Sequence, residues 1–191
     1  RHKTIVDILP YFTEANIPIS YERKNNVLQN PIIIYLNQLI DLVVLLGEQS
    51  LDEANAILPE ILSHPRWNIE PEILWKLSLS SYRDRRLWLE TMLTLPELKP
   101  IADWLIETSQ RAAHLPLEQA LDVVIGHDQE AAFVSPFFEY YFGENVRQDD
   151  PRQYLEYLES LRAIRDPMRS HDTAQTLADW LTIVELYDST D

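Results

Sequence analysis

"PIIIYLNQLIDLVVLLG", residues 31–47, is the stretch on which the fold turns. Proline suits the first helical position, where its missing N–H costs nothing, and Gly47 suits the C′ position just beyond the last turn. Between them lies a strongly apolar helix running through Leu46. Toward the C-terminus, Ser50-Leu51-Asp52-Glu53 reads as a capping box for a helix to about Ser63. Pro71 opens a helix to about Ser81, and Arg85–Leu95, Glu97–Ala113 and Pro116–Ile125 follow. Ser135–Phe142 is a short, buried aromatic segment. Asp150-Pro151 is an N-cap with an N1 proline for a helix to about Arg165, and Asp172–Tyr187 makes the last.

Toward the N-terminus the pattern changes. Residues 3–15 place Ile5, Ile8, Leu9 and Phe12 on one helical face, with Pro10 as a kink. Ile17, Ile19 and Tyr21 then alternate with Pro18 and Ser20, the period of a strand. The expected class is therefore mostly α: an irregular multi-helix domain of about nine helices with one short orphan strand. A lone strand needs a partner for its backbone groups. Either this segment is a helix–loop stretch that merely alternates, or it belongs to a sheet outside the chain.

Composition limits the function. The 191 residues are 46% hydrophobic with three glycines and twelve prolines, which fits helices joined by tight connections. Glycine stands only at Gly47, Gly126 and Gly143, so neither a P-loop nor a dinucleotide fingerprint can be written. With no cysteine there is no disulfide, thiolate metal site or thiol nucleophile, and no G-x-S-x-G elbow occurs. No run of 18 apolar residues or signal-peptide pattern is present, and the chain starts at Arg1 without an initiator Met. The expectation is a cytoplasmic protein or an excised piece of one, with no membrane contact.

Net charge is −15, which argues against a generally nucleic-acid-binding surface. The charge is uneven, however. Asn25 to Pro65 contains no Lys or Arg, whereas Arg66, Lys76, Arg83, Arg85 and Arg86 fall in the next 21 residues beside Glu70, Glu72 and Asp84. These cations either face a phosphate backbone or pair with neighbouring acids in ordinary surface salt bridges. Glu60 and His64 stand four apart, a spacing two metal ligands use, but a His interacting with the helix C-terminus explains it better. His127-Asp128 reads as a helix-ending turn, and Glu156 and Glu159 as a solvated face. Trp75, Trp88, Trp104 and Trp180 fall at apolar helical spacing and read as core. "ADWL" at 102–105 and 178–181 needs no duplication to explain it. Trp67, in a turn, either covers the core or faces a partner.

The order of these features resembles UvrD/Rep/PcrA-type superfamily 1 DNA helicases, over the region from motif IV to just before motif V. Residues 1–44, with "IPIS" at 17–20, resemble the segment in which an arginine opens a helix, a short strand completes a motor sheet, and the chain leaves for the 2B insertion. "SHPRWNIEPEIL", 63–74, resembles that insertion's helix–hairpin–helix. "LPLEQALDVVIG", 115–126, resembles a later helix, and "LADWLTIVELYD", 177–188, the helix before motif V. The resemblance implies that residues 1–30 are the residual edge of the second RecA-like motor domain and 31–191 a helical 2B-like insertion. It further implies a parent that hydrolyses ATP with Mg²⁺ to unwind DNA 3′ to 5′, as in repair, with this piece inactive alone, holding no cofactor, and contacting duplex DNA. Arg1 falls near the motif IV arginine that touches the nucleotide's γ-phosphate. Asn68-Ile69-Glu70 stands where the family has Gly-Ile-Gly, and Glu70 opposes a phosphate there. The expected DNA-facing residues are Arg66, Trp67, Asn68, Lys76, Arg83, Arg85 and Arg86. The other reading is a stand-alone acidic helical module that binds protein partners.

Overall fold

The computed structural model describes residues 27–127, 133–170 and 176–188. The expected helix over 3–15, the expected strand over 17–21 and Arg1 lie outside these residues. Among the described residues the architecture is mostly α, without a strand.

Helix α1 (Pro31–Gly47) is the axis of the domain. Asn30 caps it, its Oδ1 accepting from the Ile32 N–H at 3.1 Å, and Pro31 follows at N1. Ile32, Ile33, Leu36, Leu39, Ile40, Leu42 and Val43 are buried around its circumference, so neighbours must surround it. Helices α2 (Leu51–Leu62) and α5 (Lys99–Ala112) pack along it, joined by α6 (Leu117–Ile125), α9 (Pro151–Ser170) and α10 (Leu177–Asp188). The polar side chains near α1 act as clamps to distant segments. Asn30 Nδ2 donates to Ser160 Oγ at 2.9 Å, Tyr35 Oη donates to the Ile61 carbonyl at 3.1 Å, and Trp180 Nε1 donates to Asn37 Oδ1 at 2.9 Å.

Several boundaries differ from expectation for local reasons. Gly47 is the last residue of α1 rather than C′; the left-handed backbone falls on Gln49, at φ 61°. Ser50 makes no side-chain cap, so the capping box is not formed, although Asp52 and Glu53 still stand in the first turn. Helix α3 (Pro71–Asp84) runs a turn longer than its periodicity implied. It ends at Arg85, left-handed at φ 52°, where the Arg86 N–H returns to the Ser81 carbonyl. Arg85 therefore closes a helix instead of opening one, and α4 is only Trp88–Met92. Its first N–H, at Trp88, is received by Asn55 Oδ1 of α2 at 2.7 Å. Helix α7 (Phe137–Phe142) matches the aromatic segment, and a short helix α8 (Glu144–Asp149) that the sequence reading left out joins it to α9. Asp150 caps α9 through both the Arg152 and Gln153 N–H groups, as its pairing with Pro151 implied. Helix α10 begins later than expected, behind a Thr176–Asp179 capping box.

Gly126 closes α6 at φ 93°, and a Cβ there would lie 2.2 Å from the Ser135 carbonyl oxygen, so only glycine fits. Arg165 of α9 reaches Glu118 and Asp122 on α6, tying the C-terminal half to the core.

Candidate functional site

The residues singled out by charge and by resemblance lie at the two ends of α3, apart from Lys76 within it. At the N-terminal end, Pro65–Trp67 forms one turn of 3₁₀ helix after α2. His64 precedes it, and its Nδ1 accepts from the Arg66 backbone N–H at 3.3 Å. With Nδ1 an acceptor, Nε2 carries the proton and donates to Tyr141 Oη at 3.2 Å. Burial, and then the Arg66 charge, lower the His64 pKa, which keeps the ring neutral. His64 thus sits just past the C-terminus of α2, as expected, and its ring caps the following turn as an acceptor. Both ring nitrogens are engaged, and Glu60 accepts from Gln38 at 2.7 Å, so the pair is not arranged for a metal.

Arg66 is 4% exposed and Trp67 7%. The Arg66 guanidinium carbon sits 3.7 Å from the Tyr35 ring centroid, with Trp67 at 4.9 Å and Phe137 at 5.2 Å. None of its three side-chain nitrogens finds a hydrogen-bond partner among the described residues. Burial lowers its pKa to about 10, still well above neutrality, so a cation is held in an aromatic cage. The same burial raises the Tyr35 and Tyr141 hydroxyls to about 12. Trp67 Nε1 donates to Tyr35 Oη at 3.0 Å, and its ring stacks with Phe133. These contacts remove Arg66 and Trp67 from the set of residues that a DNA backbone can touch. Of the two roles open to Trp67, the fold takes core cover.

Asn68 remains exposed. It adopts the left-handed conformation, φ 49° and ψ 39°, a backbone that glycine takes more readily than asparagine. Glu70 is exposed and immediately precedes α3, so its carboxylate occupies the end where a phosphate would seek backbone N–H groups.

The C-terminal end of α3 has the opposite character. Arg83, Arg85 and Arg86 are all exposed. Arg83 is engaged with Asp84, Nε to Oδ1 at 2.8 Å and Nη2 to Oδ2 at 3.3 Å. The hydrogen bond to Arg83 is the main cause of Asp84's lowered pKa, and the Arg86 charge assists. Arg85 and Arg86 have no ion-pair partner among the described residues, and the left-handed backbone at Arg85 places both in the exposed turn that ends α3. Lys76, one face round, stands 4.0 Å from Glu97.

Three apolar side chains accompany these cations, and the sequence reading placed one in the core and passed over the others. Trp75 is 70% exposed, Leu79 61% and Tyr82 87%. They stand at i, i+4 and i+7, while Leu77 and Ser81 turn inward, Ser81 Oγ donating to Thr91 Oγ1 at 2.9 Å. The signal was present in the sequence: a 14-residue helix with apolar residues at 73, 74 and 77 and again at 75, 79 and 82 has two stripes, and one must face out. The other expected core tryptophans are placed as expected in two cases, Trp104 and Trp180 being buried, while Trp88 is half-buried.

Among the described residues no three His, Asp or Glu side chains converge as a metal-binding set, and no helix is long and apolar enough to cross a membrane. No family model matches the chain, and neither the curated proteins nor the solved structures contain a significant match to it.

Proposed function

We propose that the chain is a DNA-contacting helical arm, of the 2B type, from a UvrD-like ATP-dependent 3′-to-5′ helicase. The observation that carries this reading is the exposed turn at Arg85 and Arg86, two unpaired cations side by side on a chain of net charge −15. Support also comes from the order of motifs along the chain and from the left-handed Asn68 between α2 and α3. ATP and Mg²⁺ belong to the parent's motor domains. The arm's own work in this reading is to bind and orient DNA.

Contacts to phosphate release counterions, and each contributes roughly 0.9 to the slope of log affinity against log salt on duplex DNA. Because Asp84 already engages Arg83, changing Arg83, Arg85 and Arg86 together to Ala should lower the parent enzyme's slope by about two units. An unchanged slope with the fold intact would move the DNA contact elsewhere. It would favour the other reading, an acidic helical module for protein partners, which the mixed charges of Glu72, Lys76 and Glu97 around the exposed stripe would suit.

A further inference from the structure

We propose that the outer face of α3 is a platform for single-stranded nucleic acid: Trp75 and Tyr82 stack on unpaired bases while Arg85 and Arg86 meet the phosphates. The inference rests on the nucleic-acid reading above and narrows it from a duplex backbone to exposed bases.

Among the described residues the core makes no use of this face: Leu77 supplies the inward anchor of α3, and Trp75, Leu79 and Tyr82 stand outside the buried cluster. Trp75 and Tyr82 are 70% and 87% exposed, which leaves ring area that a stacked base can cover and that the core does not use. Seven residues of helix separate the two rings by about 10 Å along the axis, a length spanned by about three phosphates of a B-form strand. Beside the Trp75 ring runs a shallow open groove lined by Pro71, Glu72, Trp75, Lys76, Leu79 and Ser80, which fits an extended chain better than an enclosed small molecule.

Charge gives the strand a place to anchor. Glu70 and Glu72 stand at the far end of the groove and Glu97 lies 4.0 Å from Lys76, so the N-terminal half is acidic and the phosphates must be held at the other end. At the other end Asp84 is taken up by Arg83, which leaves Arg85 and Arg86 to attract phosphate beside the Tyr82 ring. Single strands satisfy this pattern because their bases can leave the stack, whereas a continuous duplex offers Trp75 and Tyr82 no base face.

The test uses the 191-residue chain at low salt and fluorescence anisotropy with three labelled probes of equal length: oligo-dT, an abasic deoxyribose-phosphate oligomer, and a duplex. The expected result is tighter binding of oligo-dT than of the abasic oligomer. The double variant Trp75→Ala/Tyr82→Ala should lower oligo-dT affinity about a hundredfold, about tenfold per base, with abasic and duplex binding unchanged. Phe at both positions should restore most of the loss, and the salt slope should stay as in the wild type. Both side chains are exposed, so an unchanged unfolding midpoint will confirm that the variants fold. Unaltered oligo-dT binding by the double variant overturns the platform while leaving the duplex-contacting arm standing. A Leu79→Ser variant as damaging as the aromatic changes would also overturn it, since a simple apolar patch for a protein partner would then explain the face. Failure to bind any of the three probes overturns the arm and the platform together.

Discussion

Arg66-Trp67 and Tyr82-Arg83 are the same kind of pair, a guanidinium next to a large aromatic, at opposite ends of one helix. The first is almost wholly buried and the second almost wholly exposed. Residue type does not separate them; what the neighbouring chain supplies does. Tyr35 from α1 and Phe137 from α7 close over Arg66, while no described element packs over Tyr82. An arginine–aromatic pair is thus a core element at one end and a solvent-exposed one at the other, and the two ends should respond to change in opposite ways.

The largest contrast is in the aromatics. Trp67→Ala removes a packed ring and the donor to Tyr35, and should destabilise the fold by about 3–5 kcal/mol, whereas Tyr82→Ala should stay within about 0.5 kcal/mol of the wild type. Urea denaturation of both variants measures this, and similar losses at the two sites would erase the distinction.

A smaller effect is expected at the caged guanidinium. Desolvating a cation costs several kcal/mol, and the aromatic faces return about 2 kcal/mol. Arg66→Met, which keeps the stem and drops the unpartnered nitrogens, should therefore raise stability by about 1–2 kcal/mol. A loss of more than about 1 kcal/mol would mean that the cation anchors the cage by more than its contact with the rings.

The smallest effect depends on pH. Folding lowers the His64 pKa, so the unfolded chain takes up the proton first as pH falls. The stability that neutral His64 contributes is full above its unfolded value, near 6.5, and is lost progressively below it. His64→Asn keeps an acceptor for the Arg66 N–H and cannot titrate. Unfolding midpoints across this window should slope less in the variant, and an identical slope would place the pH dependence in other groups.

How much of this was legible follows from how local each signal is. Pro31, Pro71 and the Asp150-Pro151 cap act within a turn of themselves, and the helices they open were readable. The break at Arg85 was not, because a non-glycine residue in left-handed backbone leaves no mark in composition. The burial of Arg66 depends on Tyr35 and Phe137, partners 31 and 71 positions away, and no periodicity near Arg66 reports them. Trp75 was misread as core because its spacing is helical; what was overlooked is that Leu77 had already claimed the inward face.

The clamp from Trp180 to Asn37 spans 143 positions. During synthesis at about 5–20 residues per second, the most apolar helix of the domain leaves the ribosome about 7–30 s before its last partner exists. Until then α1 presents a surface suited to any passing hydrophobic chain. Production of this protein should accordingly be sensitive to the holdase capacity of the host and to the pace of translation over the codons between α1 and α10.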